Sequence, residues 1–254
     1  DIAPMLGPVP EADGMWVAAG LNSVGILTGG GVGSAMASWI VDGIPPVDLS
    51  HYSVERAEPF LNTLQFRKER IVEQLGVLIG DGAYPSFQQS SARNIRRAPL
   101  HDVWKAKGAY FACADGWEYP DWFSTTGEVP NPGHTWSRGP WTEWIAEEHR
   151  AVREAVGVID MTLMSKFLVQ GPSSADILDR LSAGPVAGDV GRVVYTQWLN
   201  ERGGIMADLT VTRIGRDEFL VVVSGISHRR VERMIHAEIR EGEFATVTDQ
   251  TSAY

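Results

Sequence analysis

The chain has 254 residues, 44% of them hydrophobic, and carries 32 acidic against 22 basic side chains for a formal net charge of -10. This supplies apolar material for one large core or two modest ones and excludes a disordered chain, while the acidic balance argues against nucleic acid or an anionic membrane surface as main partner, since both need a basic face. A single cysteine, Cys113, excludes an internal disulfide framework and a thiolate zinc cluster, and the six histidines fall at no paired-ligand spacing, so no metal site is expected.

Residues 15–19, an apolar run between Gly14 and Gly20, predict a buried strand. Gly20-Leu-Asn-Ser-Val-Gly-Ile26 and Gly29-Gly-Gly-Val-Gly33 then read as a glycine-rich turn, and residues 34–42 as a helix. A strand, turn and helix in that order bring main-chain N–H groups and a positive helix end to one point, where an electron-rich cofactor edge can sit. The spacing is not the Gly-x-Gly-x-x-Gly dinucleotide fingerprint, and a plain glycine-rich connection is the other reading. Pro45 and Pro46 stop the helix, and residues 1–46 read as the tail of a larger domain.

The second segment, residues 47–135, holds a long helix over residues 59–78, with apolar positions 60, 61, 64, 71, 72, 75 and 78 in one stripe. Arg93, Arg96 and Arg97 form a basic cluster that reads as a solvated or ion-paired face. The aromatic block at residues 110–123 reads as side chains packed in an irregular linker, with a substrate wall as the other reading. Residues 127–140, rich in glycine and proline, form a connection between domains.

The third segment, residues 136–254, opens with a helix over residues 141–156. There follow a strand at 163–169, a turn at Gly171-Pro172, a helix at 174–181, a strand at 193–199, a hairpin turn at 201–204, strands at 206–213 and 218–224, and a helix at 227–239. Mixed strands with helices on one face predict an α+β domain. Asp208 stands just before the apolar run Leu209-Thr-Val211. A carboxylate there is a poor strand former and costs free energy to bury unless it is hydrogen-bonded, so it is the residue most in need of a chemical role, with a turn or capping role as the other reading.

These stretches resemble known families. Asp160-Met-Thr-Leu-Met-Ser-Lys166, Val169-Gln-Gly-Pro172, Gly191-Arg-Val-Val-Tyr195 and residues 200–211 resemble the folate-binding domain of the glycine-cleavage aminomethyltransferase, or T-protein. Met5-Leu-Gly-Pro8 and residues 16–26 and 29–33 resemble the C-terminal end of the FAD domain of flavin-dependent amine oxidoreductases. Arg96-Arg-Ala-Pro-Leu-His101, Gly108-Ala109 and Gly116-Trp-Glu118 resemble the central domain that joins the two. Over essentially its whole length the chain is similar to the dimethylglycine and sarcosine dehydrogenase or oxidase family.

The resemblance implies an α+β fold of three parts: the C-terminal tail of an FAD-binding oxidoreductase domain (1–46), a central linker domain (47–135) and the first part of an aminomethyltransferase-like folate-binding domain (136–254). It implies an enzyme in which FAD oxidises an N-methyl amino acid of the sarcosine or dimethylglycine type and tetrahydrofolate takes the one-carbon unit as 5,10-methylenetetrahydrofolate. Gly20, Asn22, Ser23, Val24, Gly25 and Ile26 would then lie against the flavin, where N–H groups stabilise charge gained on reduction and glycine allows close approach. Asp208 would face the folate as a base or iminium stabiliser, with Tyr195 and Met164 lining that pocket.

The implied electron acceptor is a protein or oxygen, with no nucleic acid and no membrane span, and the implied location is cytoplasmic in a bacterium or the mitochondrial matrix in a eukaryote. The flavin fingerprint is expected upstream of Asp1 and further folate-binding residues beyond Tyr254, so this piece alone is expected to be inactive. A regulatory subunit of the pyruvate dehydrogenase phosphatase type and a stand-alone aminomethyltransferase are the alternatives. The presence of Asp208 and of an unbroken 22–26 loop favours the enzyme.

Overall fold

The computed structural model describes residues 3–79, 88–127 and 137–253. At the start, β1 (Met5–Pro8) and β2 (Trp16–Ala19) pair antiparallel and are followed by the 18-residue helix α1 (Gly25–Asp42). Trp16 meets Trp39 of α1 edge to face at 5.7 Å, and Gly7 packs under the same Trp39 ring. Two expectations are corrected here. The strand is only half buried, with Ala18 and Ala19 exposed, because it has one partner strand and one covering ring. The glycines at 29, 30, 31 and 33 lie inside the helix, which begins nine residues earlier than expected and confines the turn to residues 20–24. Each glycine disfavours a helix by about 1 kcal/mol relative to alanine, and that cost made the run look like a breaker.

Short 3-10 turns at Ser50–Tyr52, Val54–Arg56 and Pro59–Asn62 lead into α2 (Leu64–Ile79). The single helix expected from residue 59 is thus broken: Thr63 is extended at ψ 141°, and its hydroxyl accepts the Phe66 N–H at 3.3 Å, starting α2 afresh. Next come β3 (Arg96–Arg97), α3 (His101–Ala106), β4 (Ala109–Ala114) and β5 (Trp117–Phe123), forming a three-stranded sheet of order β3-β5-β4. The aromatic block is therefore a regular hairpin, a further correction, to an expected irregular packing. Its turn places Asp115 and Gly116 both at positive φ, the geometry that matches strand twist. Trp122 is buried between Tyr110 and Trp144, at ring separations of 4.8 and 5.3 Å, which fixes α4 (Trp141–Glu154) against β5. Most of the 127–140 connection, including the expected domain boundary near residue 135, lies outside the described residues.

The remaining elements are β6 (Ser165–Gln170), α5 (Ser174–Leu181), β7 (Val193–Leu199), β8 (Ile205–Gly215), β9 (Glu218–Val223), α6 (His228–Glu238) and β10 (Thr246–Asp249). Their five strands form one antiparallel sheet of order β10-β6-β9-β8-β7. Phe167, Val169, Trp198, Leu209, Val211, Phe219 and Val221 point to one face, where Ile177 and Leu178 of α5 and Val231 and Ile235 of α6 complete a core with almost no exposed surface. Period-two alternation in the strands leaves the other face to polar and half-buried side chains. Elements α5 and β7 fall at the expected residues. The short strand β10 was not expected; only one of its four residues, Val247, is aliphatic.

The turn from β6 to α5 depends on Gly171, at φ 139°, where an added Cβ would stand 2.5 Å from the Phe244 carbonyl oxygen. Gly171→Ala is expected to destabilise the protein by about 1–3 kcal/mol, read as a lowered midpoint in a denaturant melt with unchanged slope. No helix among the described residues is long and apolar enough to cross a membrane.

Candidate functional site

Asp208 is the fourth residue of β8 and projects from the face of the sheet opposite α5 and α6, between the buried neighbours Ala207 and Leu209. This position resolves the tension visible in the sequence, because an exposed carboxylate in a strand keeps its hydration while the residues on either side supply the core. Gln197 of β7 stands directly across from it in register, and Tyr195 lies two residues along the same strand on the same face. The Tyr195 hydroxyl donates to Asp208 Oδ2 at 2.9 Å, and Gln197 Nε2 donates to Oδ1 at 3.2 Å. The bond to Asp208 pushes the Tyr195 phenol above its ordinary value, so the tyrosine keeps its proton and remains the donor at neutral pH. Its ring is two-thirds exposed (67%) and available for stacking.

Gln197 was not singled out in the sequence. The signal was present, since strand alternation puts residues 195 and 197 on one face, but glutamine has no chemistry of its own to draw attention to it.

The same face continues through Thr210 and Val222 to Lys166 of β6, all in register and partly buried. Lys166 Nζ donates to the carbonyls of Met164 (2.8 Å), Thr162 (3.1 Å) and Met161 (3.3 Å), and burial lowers its pKa. The ammonium thereby shapes the loop that carries Met164. Asp160 closes that loop by accepting the Thr162 N–H at 3.0 Å and the Trp104 indole N–H at 2.8 Å from α3. Lys166 is three strands from Tyr195, roughly 14 Å at ordinary strand spacing. Met164 therefore stands across the face from the Tyr195–Asp208 pair and not beside it.

The other expected residues form the turn between β2 and α1. Gly20, Asn22 and Ser23 have φ of 73°, 30° and 68°, and Asn22 Nδ2 donates to the Gly20 carbonyl at 2.7 Å. Val24 and Gly25 are half-buried, while Ile26 is fully exposed at the head of the helix. The first N–H groups of α1, at Gly25, Ile26 and Leu27, have no partner inside the helix, as at any helix start. A Cβ on Gly20 would meet no protein atom closer than 3.9 Å, so within this chain glycine is required there by its φ, not by close packing.

Carboxylates and arginines join the segments. Glu55 accepts from Arg230 Nε at 3.3 Å and Arg233 Nε at 2.5 Å, both on α6, and Arg229 donates to the Ala57 carbonyl at 2.8 Å and pairs with Glu11. Arg93, in the basic cluster, pairs with the buried Glu118.

The family model described as the GCVT N-terminal domain matches residues 100–254, from the residue before α3 through the five-stranded sheet. Among curated proteins the chain is 34% identical over 248 residues to 4-methylaminobutanoate oxidase (formaldehyde-forming) of Paenarthrobacter nicotinovorans, covering 98% of this chain and 30% of that protein. It is 33% identical over 257 residues to the mitochondrial dimethylglycine dehydrogenase of Mus musculus (98% and 29%). It is 29% identical over 227 residues to the mitochondrial pyruvate dehydrogenase phosphatase regulatory subunit of Mus musculus (87% and 26%). The chain thus spans no more than 30% of the length of these relatives.

Proposed function

Since this chain belongs to the family of the GCVT N-terminal domain, we propose that the open face of its five-stranded sheet is a tetrahydrofolate site centred on Asp208, in a protein that uses FAD to demethylate an N-methyl amino acid. The observation that carries this reading is the exposed Asp208 carboxylate held from both sides by Tyr195 and Gln197. A carboxylate offers about four lone-pair positions, and these two bonds leave positions on both oxygens for the paired N–H donors of a pterin edge. Tyr195 supplies a ring face beside it, and Val222, Leu220 and Leu168 supply a partly buried apolar floor. The substrate class is supported by the two relatives named for N-methyl amines.

Within this reading, Tyr195 and Gln197 fix the carboxylate plane, and Asp208 stabilises the cationic iminium of the oxidised amine or takes a proton during transfer. Gly20, Asn22, Ser23, Val24, Gly25 and Ile26 hold FAD through main-chain N–H groups at the exposed start of α1. FAD, when bound, supplies the two-electron oxidation of the amine.

The test uses the full-length protein, mixed anaerobically with sarcosine or dimethylglycine, with and without tetrahydrofolate. Flavin bleaching at the same rate in wild type and Asp208→Ala is expected, with the variant losing about 100-fold or more in methylenetetrahydrofolate formation and releasing formaldehyde instead. An unchanged yield in the variant refutes the role of Asp208. Absence of bleaching by either amine refutes the oxidative reading and favours a regulatory protein, the role named for the third relative.

A further inference from the structure

The first turns of α2 and the loop at residues 56–62 enclose a cleft of about 700 Å³ that is also bordered by Arg229 of α6 and by Gly20 and Asn22. Arg70 lines it. Only 6% of Arg70 is exposed, its Nε has no hydrogen-bond partner, and its Nη2 donates to a neutral acceptor, the Ala92 carbonyl, at 3.1 Å. Its guanidinium lies 5.3 Å from the centre of the Phe66 ring. Among the described residues no carboxylate pairs with it, although the chain has 32 acidic side chains to offer. A buried cation without a counter-ion is expensive, and proteins place one where a ligand completes the pair. One turn further along α2, Gln74 Nε2 is likewise buried without a partner.

The surroundings share the same sign. Arg67, Arg56 and Arg229 line the cleft with Arg70, Arg229 being already paired with Glu11, against Glu58 as the one carboxylate among the described lining residues. Burial pushes the Glu58 carboxyl up despite the pull of His228, Arg96 and Arg229, which weakens its opposition to an incoming anion. Leu61, Phe66 and Ile71 add an apolar wall. The volume falls within the ordinary range for a small-molecule site.

We propose that this cleft binds a small organic anion, its carboxylate or phosphate head on Arg70 and Arg67 and its apolar body against Phe66, Leu61 and Ile71. Charge-assisted bonds to a planar guanidinium suit either head group; the cleft does not include Asp208, and it borders the turn at Gly20 and Asn22 proposed above to hold FAD.

Calorimetric titration of the full-length protein with sodium benzoate, sodium phosphate and neutral benzamide tests it. Saturable binding of benzoate, no binding of benzamide, and a weakening of about tenfold or more in Arg67→Glu are expected. Phosphate binding as tight as benzoate identifies the head group as the dominant contact; weaker phosphate binding assigns the larger share to the apolar wall. Arg70→Gln is expected to weaken benzoate at least as much, and if that buried variant fails to fold, the exposed Arg67→Glu decides alone. Equal binding of benzoate and benzamide, no benzoate binding, or wild-type affinity in Arg67→Glu overturns the proposal.

Discussion

Trp198→Ala is expected to destabilise the protein by about 3–5 kcal/mol, measured as the loss of unfolding free energy in denaturant. Trp198 is fully buried on β7, at the centre of the core between the sheet and α5, and its indole N–H donates to Ser182 Oγ at 3.0 Å. Truncation removes the largest side chain of that core and leaves the Ser182 hydroxyl without its donor. Trp198→Phe keeps most of the volume and should cost less than half as much. Because Trp198 and Gln197 are neighbours facing opposite sides of the sheet, Trp198→Ala should also loosen the strand that carries Tyr195. Folate affinity is then expected to fall together with stability, whereas Asp208→Ala should change folate chemistry and leave the melting midpoint nearly unchanged.

Glu118→Ala should be about as severe, at roughly 3–5 kcal/mol, because it removes one partner of a buried ion pair. The Glu118 side chain is 2% exposed on β5. It accepts Arg93 Nε at 2.8 and 3.1 Å, a further bond from Arg93 Nη2, and the Asn94 N–H at 2.7 Å. Burial alone would raise its pKa, but the bonds from Arg93 and Asn94 outweigh it and hold the carboxyl below its ordinary value of 4.5. A depressed folded-state value means that the stabilisation is fully present above the unfolded-state pKa and disappears as pH falls through the folded-state value. Wild type should therefore lose stability on acidification below about pH 4.5, and Glu118→Ala should show a smaller loss over the same range. The double variant Arg93→Ala/Glu118→Ala should be less destabilised than the sum of the two single variants.

The sheet that carries Asp208 was legible from the sequence through short apolar runs bounded by turn residues, such as Phe167-Leu-Val169 and Phe219-Leu-Val-Val-Val223, and through the alternation of Asp208, Thr210 and Thr212 with apolar residues in β8. The role of Asp208 as an outward residue follows from the same alternation once Leu209 and Val211 are placed in the core. Four things were not legible. Strand β10 gains its place from main-chain pairing with β6, and Thr246-Val-Thr-Asp249 has too little apolar signal to announce it. The helix through Gly29–Gly33 contradicts intrinsic propensity, which makes the run resemble a turn. The arginine cluster concealed two unlike environments: Arg93 is committed to Glu118, while Arg96 lies over Trp117 at 4.4 Å. Arg70 stood on the charged face of an ordinary amphipathic helix, and only its burial sets it apart from Arg67 one turn away.

The strand order has a consequence for how the chain acquires its structure. Strands β7, β8 and β9 form a meander whose neighbours are close in sequence, as with Tyr195 and Asp208, 13 residues apart. Strand β6 comes before the meander in the chain but lies between β9 and β10 in the sheet. Its pairings are remote: Gln170 meets Glu218 across 48 residues and Thr246 across 76. Closing such loops costs conformational entropy before any contact repays it, which slows folding. During synthesis β6 leaves the ribosome before either partner exists, so Phe167 and Val169 remain uncovered until β9 has been made. The stretch from β6 to β10 is thus a window of vulnerability to aggregation, and chaperone engagement with the nascent chain should be concentrated there.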